Sequence, residues 1–455
     1  MKQKLAALDQ LELFGGRDPL MRRILAVMFT VGSLTILVKV LAFSKELLVA
    51  GRFGSSDVMD AFVSAFTIWS FLTGVIGGAL PDALVPVYSK AKQRAPQIAD
   101  QFAVNAIWVY VVKLVLITGV FLVLGQWLAP WFTHGYTEEK RALTVKLFYC
   151  LAPFSVFWGT SLIMTMLLQA NKRFILAAAA PAAIPFCAII GLLAGYELIG
   201  IYALILGTTA GALIQMGLVT TGFFRAHCSI PFFQFRDLRD EHMGELVRAT
   251  WPYLLSGVIM GSTIVVDVGM AAGLDRGSVS VLSYAERICT IGLVLASVMV
   301  TEALYPYLSD MVAKEEWKRL KYMVSRFCVL ILAISFPCVA TIWWGAEWIV
   351  MVLFERNEFT HQDTLRVAGV LRWLSLQIPF NLLAVLGSRV ICAMLASRFM
   401  LLTTVVNLGL NIAGNYYFAR FMGVEGIALS TAVVYLISAA MLYTFFVIQI
   451  RKRIA

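Results

Sequence analysis

Apolar windows of about twenty residues recur along the whole chain, and that length is what an α-helix needs to cross a bilayer. Hydrocarbon offers no water to backbone amides, so only helices and closed barrels can span it. Windows this long are helical, because barrel strands are about half that length and alternate in polarity. Hydrophobic residues make up 60% of the sequence and charged residues 14%, more apolar surface than a soluble core requires. The chain therefore reads as an all-α polytopic membrane protein. Twelve spans are expected, near 24–44, 58–80, 102–128, 146–170, 175–195, 199–224, 250–272, 280–305, 323–345, 366–395, 399–419 and 424–449.

The net charge of +10 does not point to nucleic acid, because the basic residues sit between spans as topology signals. With the N-terminus inside, Lys90, Lys92 and Arg94, Lys314 to Lys321, and Arg451 to Arg453 all fall on inner segments. Outer segments hold fewer than half as many, among them Lys140 and Arg141. Both termini are thus expected in the cytoplasm and the chain in the cytoplasmic membrane, the first span acting as an uncleaved signal. The expected organisation is a cytoplasmic segment 1–23, a first lobe 24–225, a cytoplasmic linker 226–249, a second lobe 250–449 and a basic tail 450–455. The segments 226–247, with Phe232, Phe233 and Phe235, and 347–365 mix aromatics with charge; interfacial helix and plain loop are both open readings. Seven cysteines without C-x-x-C or His partners at metal spacing read as small buried hydrophobes.

The halves repeat. Asp82-Ala-Leu-Val-Pro86 returns 220 residues later as Glu302-Ala-Leu-Tyr-Pro306. Pro153-Phe154 returns as Pro379-Phe380, Arg173-Phe174 as Arg398-Phe399, and Gly200-Ile201 as Gly426-Ile427. Six spans return the chain to the same side, so the repeats are parallel and a cavity between two six-helix lobes is the expected transport site. Helix breakers mark it: Gly74, Gly77, Gly78 and Pro81 in span 2, Pro181 and Pro185 in span 5.

Charge inside hydrocarbon is costly and marks function by default. The ionisable set in or beside the spans includes Lys39, Lys45, Glu46, Asp60, Asp82, Lys113, Asp267, Glu286, Arg287, Glu302 and Arg389. Lys39 and Lys45 are six residues apart, about 120° around a helix, so both face one cavity only if it is wide or the helix bends.

The run Lys39-Val40-Leu41, Phe43, Lys45-Glu46, then Phe53-Gly54 and Asp60-Ala61-Phe62 resembles the MurJ/MviN family. These are lipid II flippases within the group of multidrug, oligosaccharide-lipid and polysaccharide exporters. Ser283-Tyr284-Ala285-Glu286-Arg287 resembles the family's Tyr-Ala-Asp-Arg element. The resemblance implies that Lys39, Lys45 and Arg287 grip the pyrophosphate of a carrier lipid and that Asp60 takes the place of an essential aspartate. Glu46, Asp82, Glu286 and Glu302 are secondary cavity candidates. It also suggests a sodium site from Asp267, Asn407, Asn411 and Thr431, with interhelical hydrogen bonding the alternative. No cofactor is expected beyond Na⁺ or H⁺ as coupling ion.

Two departures stand out. The family's second-span arginine has no counterpart near Phe71-Leu72-Thr73-Gly74, and twelve spans are counted where the lipid II members usually have fourteen. The reading that follows is a flippase for a polyprenyl-pyrophosphate-linked saccharide, an exopolysaccharide repeat unit or a lipid II-like cell-wall precursor. Lipid II itself and cation-coupled drug export are the alternatives. Three cavity cations disfavour cationic drugs. A membrane glycosyltransferase or glycan ligase ranks lower, since the outer loops are short and G-x-S-x-G, H-E-x-x-H and P-loop motifs are missing. The expected partners are the lipid-linked glycan, the bilayer and cell-envelope glycan assembly machinery, without nucleic acid.

Overall fold

The computed structural model of the chain describes residues 19–78, 80–227, 241–394 and 396–454. The first lobe is built from α1 (Pro19–Phe53), α2 (Asp57–Gly78), α3 (Leu80–Arg94), α4 (Pro96–Phe132), α5 (Glu138–Ala170), α6 (Phe174–Ala179), α7 (Ala183–Ile199) and α8 (Ile201–His227). The second is built from α9 (Glu241–Ala272), α10 (Ser278–Ala313), α11 (Trp317–Phe354), α12 (His361–Ser375), α13 (Gln377–Ala393), α14 (Ser397–Met422) and α15 (Val424–Ile454). Each expected span falls on one helix or on a pair joined by a tight break. Eight described helices are long and apolar enough to cross a membrane by length and composition, with Gly257–Ala272 a shorter apolar stretch.

Some of the breakers sit at breaks, but Gly74 and Gly77 lie inside α2 and Pro185 lies in the first turn of α7, where a missing N–H interrupts nothing. α2 ends at Gly78, and Pro81 lies in the first turn of α3, where its missing N–H costs nothing. Pro181 falls in the 3-10 turn Ala180–Ala182 between α6 and α7. Gly200 closes α7 at φ 55° and Gly423 closes α14 at φ 59°, a backbone that suits glycine. The second lobe's turn glycine is thus Gly423, three residues before the Gly426 of the sequence match.

The stretch 347–365 is neither interfacial helix nor loop. The apolar run of α11 continues to Phe354, and a capping box of Thr360 and Asp363 starts α12, leaving 355–360 as the connection. In the other stretch, 226–247, α8 runs to His227 and α9 begins at Glu241. Residues 228–240, with the three phenylalanines, lie outside the described residues.

The cores define the shape. Near the α1–α2 turn one continuous core joins both lobes, from Phe53, Phe62 and Trp69 across to Tyr284, Phe354 and Phe359. Towards the other end each lobe has its own, one around Tyr88, Phe102 and Ile107, the other around Leu308, Leu320 and Leu386. α9 crosses between them. Leu246, near its start, joins the first lobe's core, and Ala271, near its end, joins the shared one. The lobes are welded at the α1–α2 end and separately packed at the opposite end.

Candidate functional site

The weld is made of charges and turns. α1 ends at Phe53, and Gly54 turns the chain at φ 53°. A Cβ on Gly54 would stand 2.5 Å from the Glu358 carbonyl oxygen of the second lobe. Gly277, which precedes α10, has φ 81°, and its Cβ would stand 2.6 Å from the Ser55 carbonyl oxygen of the first. Each lobe presents a glycine to the other's backbone.

Asp60, in the first turn of α2, is 1% exposed. Its carboxylate accepts the backbone N–H of Gly277 at 2.8 Å and of Ser280 at 2.7 Å. It therefore caps α10 from the other lobe and satisfies amides that helix geometry leaves without partners. Lys140, in the first turn of α5, donates to Asp60 at 2.7 Å and to Asp57 at 3.0 Å. Arg276 closes on Asp57 from the second lobe at 2.8 Å. In the reverse direction, Ser55 donates to Asp363, and Tyr284 on α10 donates to the Gly54 carbonyl at 3.0 Å.

One turn deeper on α10 lies the second group. Glu46 on α1 is buried and accepts Lys45 at 2.6 Å and Arg287 at 2.9 Å. Arg287 keeps 40% of its side chain exposed, and a single guanidinium nitrogen reaches Glu46. Lys39 is exposed further along α1 and makes no ion pair among the described residues. One buried carboxylate thus meets cations from both lobes, and positive charge remains in excess. The sequence set of Lys39, Lys45, Asp60 and Arg287 divides here. Lys45 and Arg287 share Glu46, whereas Asp60 belongs to the weld. Arg287 pairs with neither Glu286 nor Asp60.

The third group lies inside the second lobe. One oxygen of Asp267 on α9 accepts the amide groups of Asn411 at 3.0 Å and Asn415 at 2.6 Å, both on α14. The carbonyl oxygens of Asn411 and Asn415 are buried without a hydrogen-bond partner. Glu286 precedes Arg287 on α10 and is partly buried. Asn407, one turn away, donates to Ser438 at 3.1 Å instead, and the Thr431 hydroxyl donates to the Ile427 carbonyl at 3.1 Å. Only Asp267 and Asn411 of the sequence set are joined directly. The side chains of Asp82 and Glu302 lie outside the described set.

Two residues of these clusters have no place in the sequence-derived set. Lys140, beside Glu138 and Glu139, looks like a solvated helix start, and only the fold carries it to Asp60. Asn415 has a signal: Asn407, Asn411 and Asn415 form an i, i+4 ladder on one helix face.

Two helical lobes welded at one end, with cations of both converging on a shared buried acid, define a polytopic two-lobe membrane transporter. The solved structures agree on the fold. An inward closed conformation of lipid II flippase MurJ superposes with TM-score 0.80 at 22% identity, covering 91% of this chain and 87% of that one. An inward-facing multidrug resistance transporter of the MATE family superposes with TM-score 0.78 at 16% identity, covering 93% and 98%. The chain belongs to the lipid II flippase MurJ family, whose model matches residues 49–454. Lys39, Lys45 and Glu46 precede the matched segment. A probable lipid II flippase MurJ of Thermotoga maritima is 24% identical over 88% of this chain and 81% of its own length. The lipid II flippase MurJ of Burkholderia cenocepacia is 22% identical over 94% and 83%. These relatives place the chain among flippases of lipid-linked precursors.

Proposed function

We propose that the chain carries lipid II, or a cell-wall precursor built on the same polyprenyl pyrophosphate, across the cytoplasmic membrane by alternating access. The observation that carries this reading is the meeting of Lys45 and Arg287, from two lobes, on the single carboxylate of Glu46. A diphosphate cannot enter hydrocarbon unescorted. Beside Glu46 it would compete for the same two cations. Arg287 has nitrogens left for a bidentate grip, and Lys45 and Lys39 act as point charges. Because the cations belong to different lobes, an anion between them draws the lobes together as it binds. The Lys and Arg distribution puts the weld at the outer face, so the precursor enters from the cytoplasm between the separately packed halves.

A cation at Asp267 is the reading we favour for coupling. Its support is the pair of buried amide oxygens on Asn411 and Asn415 with no partner. If both amides turn, one carboxylate and two carbonyl oxygens face a common point, a hard donor set that suits sodium. The site lies on α9 and α14, and α9 also touches the first lobe.

The direct test is replacement. The chain is expressed in bacteria whose own lipid II flippase can be depleted, and lipid II accessible at the outer face is measured. Growth and outer-face lipid II should persist. Accumulation of lipid II inside, at normal abundance of the chain, would exclude this cargo.

A further inference from the structure

We propose that Lys140 is the positioning residue of the outer closure, holding the Asp60 carboxylate aimed at the start of α10 while the lobes are shut. The proposal rests on the alternating-access reading. Its basis is a difference in where the partners of Asp60 reside. Gly277 and Ser280 belong to the second lobe and contact Asp60 at 2.8 and 2.7 Å. Lys140 belongs to the first, as Asp60 does, and contacts it at 2.7 Å. Arg276, the other cation of the cluster, also sits on the second lobe. When the lobes part, the two amides and Arg276 leave together. Asp57 and Asp60 then keep Lys140 as their one cationic partner among the described residues.

The side chain is built for that task. Lys140 is 8% exposed, and a buried ammonium needs compensation. It has two carboxylates at 2.7 and 3.0 Å and the face of Tyr136 at 4.1 Å from ring centroid to Nζ. Tyr136 is itself fixed by a 2.8 Å hydrogen bond with Ser64 on α2. The aspartate that must meet the α10 amides is therefore preset within one lobe, before the other arrives. Without Lys140, Asp60 would be a carboxylate 1% exposed whose remaining donors are two amides of the opposite lobe. It would lose its fixed aim at those amides, and that weakens closure.

Ala272 provides the reporter. It is 2% exposed, and its carbonyl lies under the Gly135 turn of the first lobe. Ala272→Cys is labelled in intact cells with a membrane-impermeant maleimide, read against the parent without the added cysteine. Lys140→Met should raise labelling several-fold and Lys140→Arg should leave it near the parent level. Unchanged labelling in Lys140→Met overturns the proposal. If Lys140→Met does not accumulate, the double variant Asp60→Asn/Lys140→Met removes both buried charges. The double variant is read against Asp60→Asn alone: equal labelling in the two supports a role of Lys140 through Asp60, and labelling that differs between them gives Lys140 a role apart from Asp60 and overturns the proposal. The readout does not depend on cargo, so failure to flip lipid II leaves the labelling result standing.

Discussion

Asp60 accepts the backbone N–H of Ser280 at 2.7 Å, and the two residues stand 220 positions apart, the offset that relates Asp82 to Glu302 in the two halves. Equivalent positions of the repeat therefore meet at the lobe junction. With serine on one side, the acid of one half caps the helix of the other. A symmetric architecture thus closes through an asymmetric pair.

Asp60→Asn should leave the helices folded and weaken the outer closure. Hydrogen bonds to a charged group are worth about 1.5–3 kcal/mol, or roughly ten- to a hundredfold in the closed-to-open ratio. Transport in the flippase-depleted strain should fall sharply at normal abundance. Transport at the parent level would show that closure does not depend on this charge.

Gly277→Ala tests the joint from the other lobe. The new Cβ would stand 2.6 Å from the Ser55 carbonyl oxygen, at a φ of 81°. Left-handed backbone costs a non-glycine residue about 1–2 kcal/mol, and the contact adds to it. Both melting temperature and transport should drop. Gly74→Ala, where a Cβ meets nothing within 4 Å, should be mild in the same assays.

Arg287→Ala should cripple transport, and Arg287→Glu should do more harm, because it sets a second acid against Glu46. Lys39→Ala should lose transport and Lys39→Arg should keep it. Glu46→Gln leaves Lys45 and Arg287, both partly exposed, without their shared partner and should lower transport. Lys113→Ala, on the exposed face of α4, is the control. Full transport by both Arg287→Ala and Lys39→Ala would end the pyrophosphate-grip reading.

Sodium should raise the melting temperature of the purified protein in detergent, and potassium at the same concentration should not. A ligand at a hundred times its Kd stabilises by about 2.7 kcal/mol. Asp267→Asn removes the carboxylate that meets both amides, and Asn415→Leu removes one amide oxygen, so each should abolish the sodium shift. A shift that survives Asp267→Asn would place the ion elsewhere.

Cysteine labelling of intact cells should modify Thr137→Cys, beside the weld, and spare Gln93→Cys, near the end of α3. The reverse pattern would turn the whole chain over and place the weld in the cytoplasm.

Much of the architecture is legible in the amino-acid sequence. The apolar windows mark helices, eight of them among the described residues long and apolar enough to span, the breakers at Gly78 and Pro181 mark two of the helix breaks, and the repeated Asp82 and Glu302 segments mark the halves. Spacing cannot tell that Lys45 and Arg287 share Glu46 while Asp60 lies apart with Lys140. Nor can it separate Asn407, which bonds Ser438, from Asn411, which bonds Asp267, because both lie on the same helix face.

What the sequence determined by itself is local in origin. Hydrocarbon forces each segment to satisfy its own backbone, so span, break and helix content follow from short windows of residues. The partners of the charged groups were decided only by the tertiary structure. An ion pair such as Lys140 with Asp60 joins residues 80 positions apart, and its formation depends on how helices pack, which no local window records. The lobes meet at Asp60 and Ser280 because the fold brings the starts of two repeated helices to one point, and there a carboxylate on one side finds unpaired amides on the other.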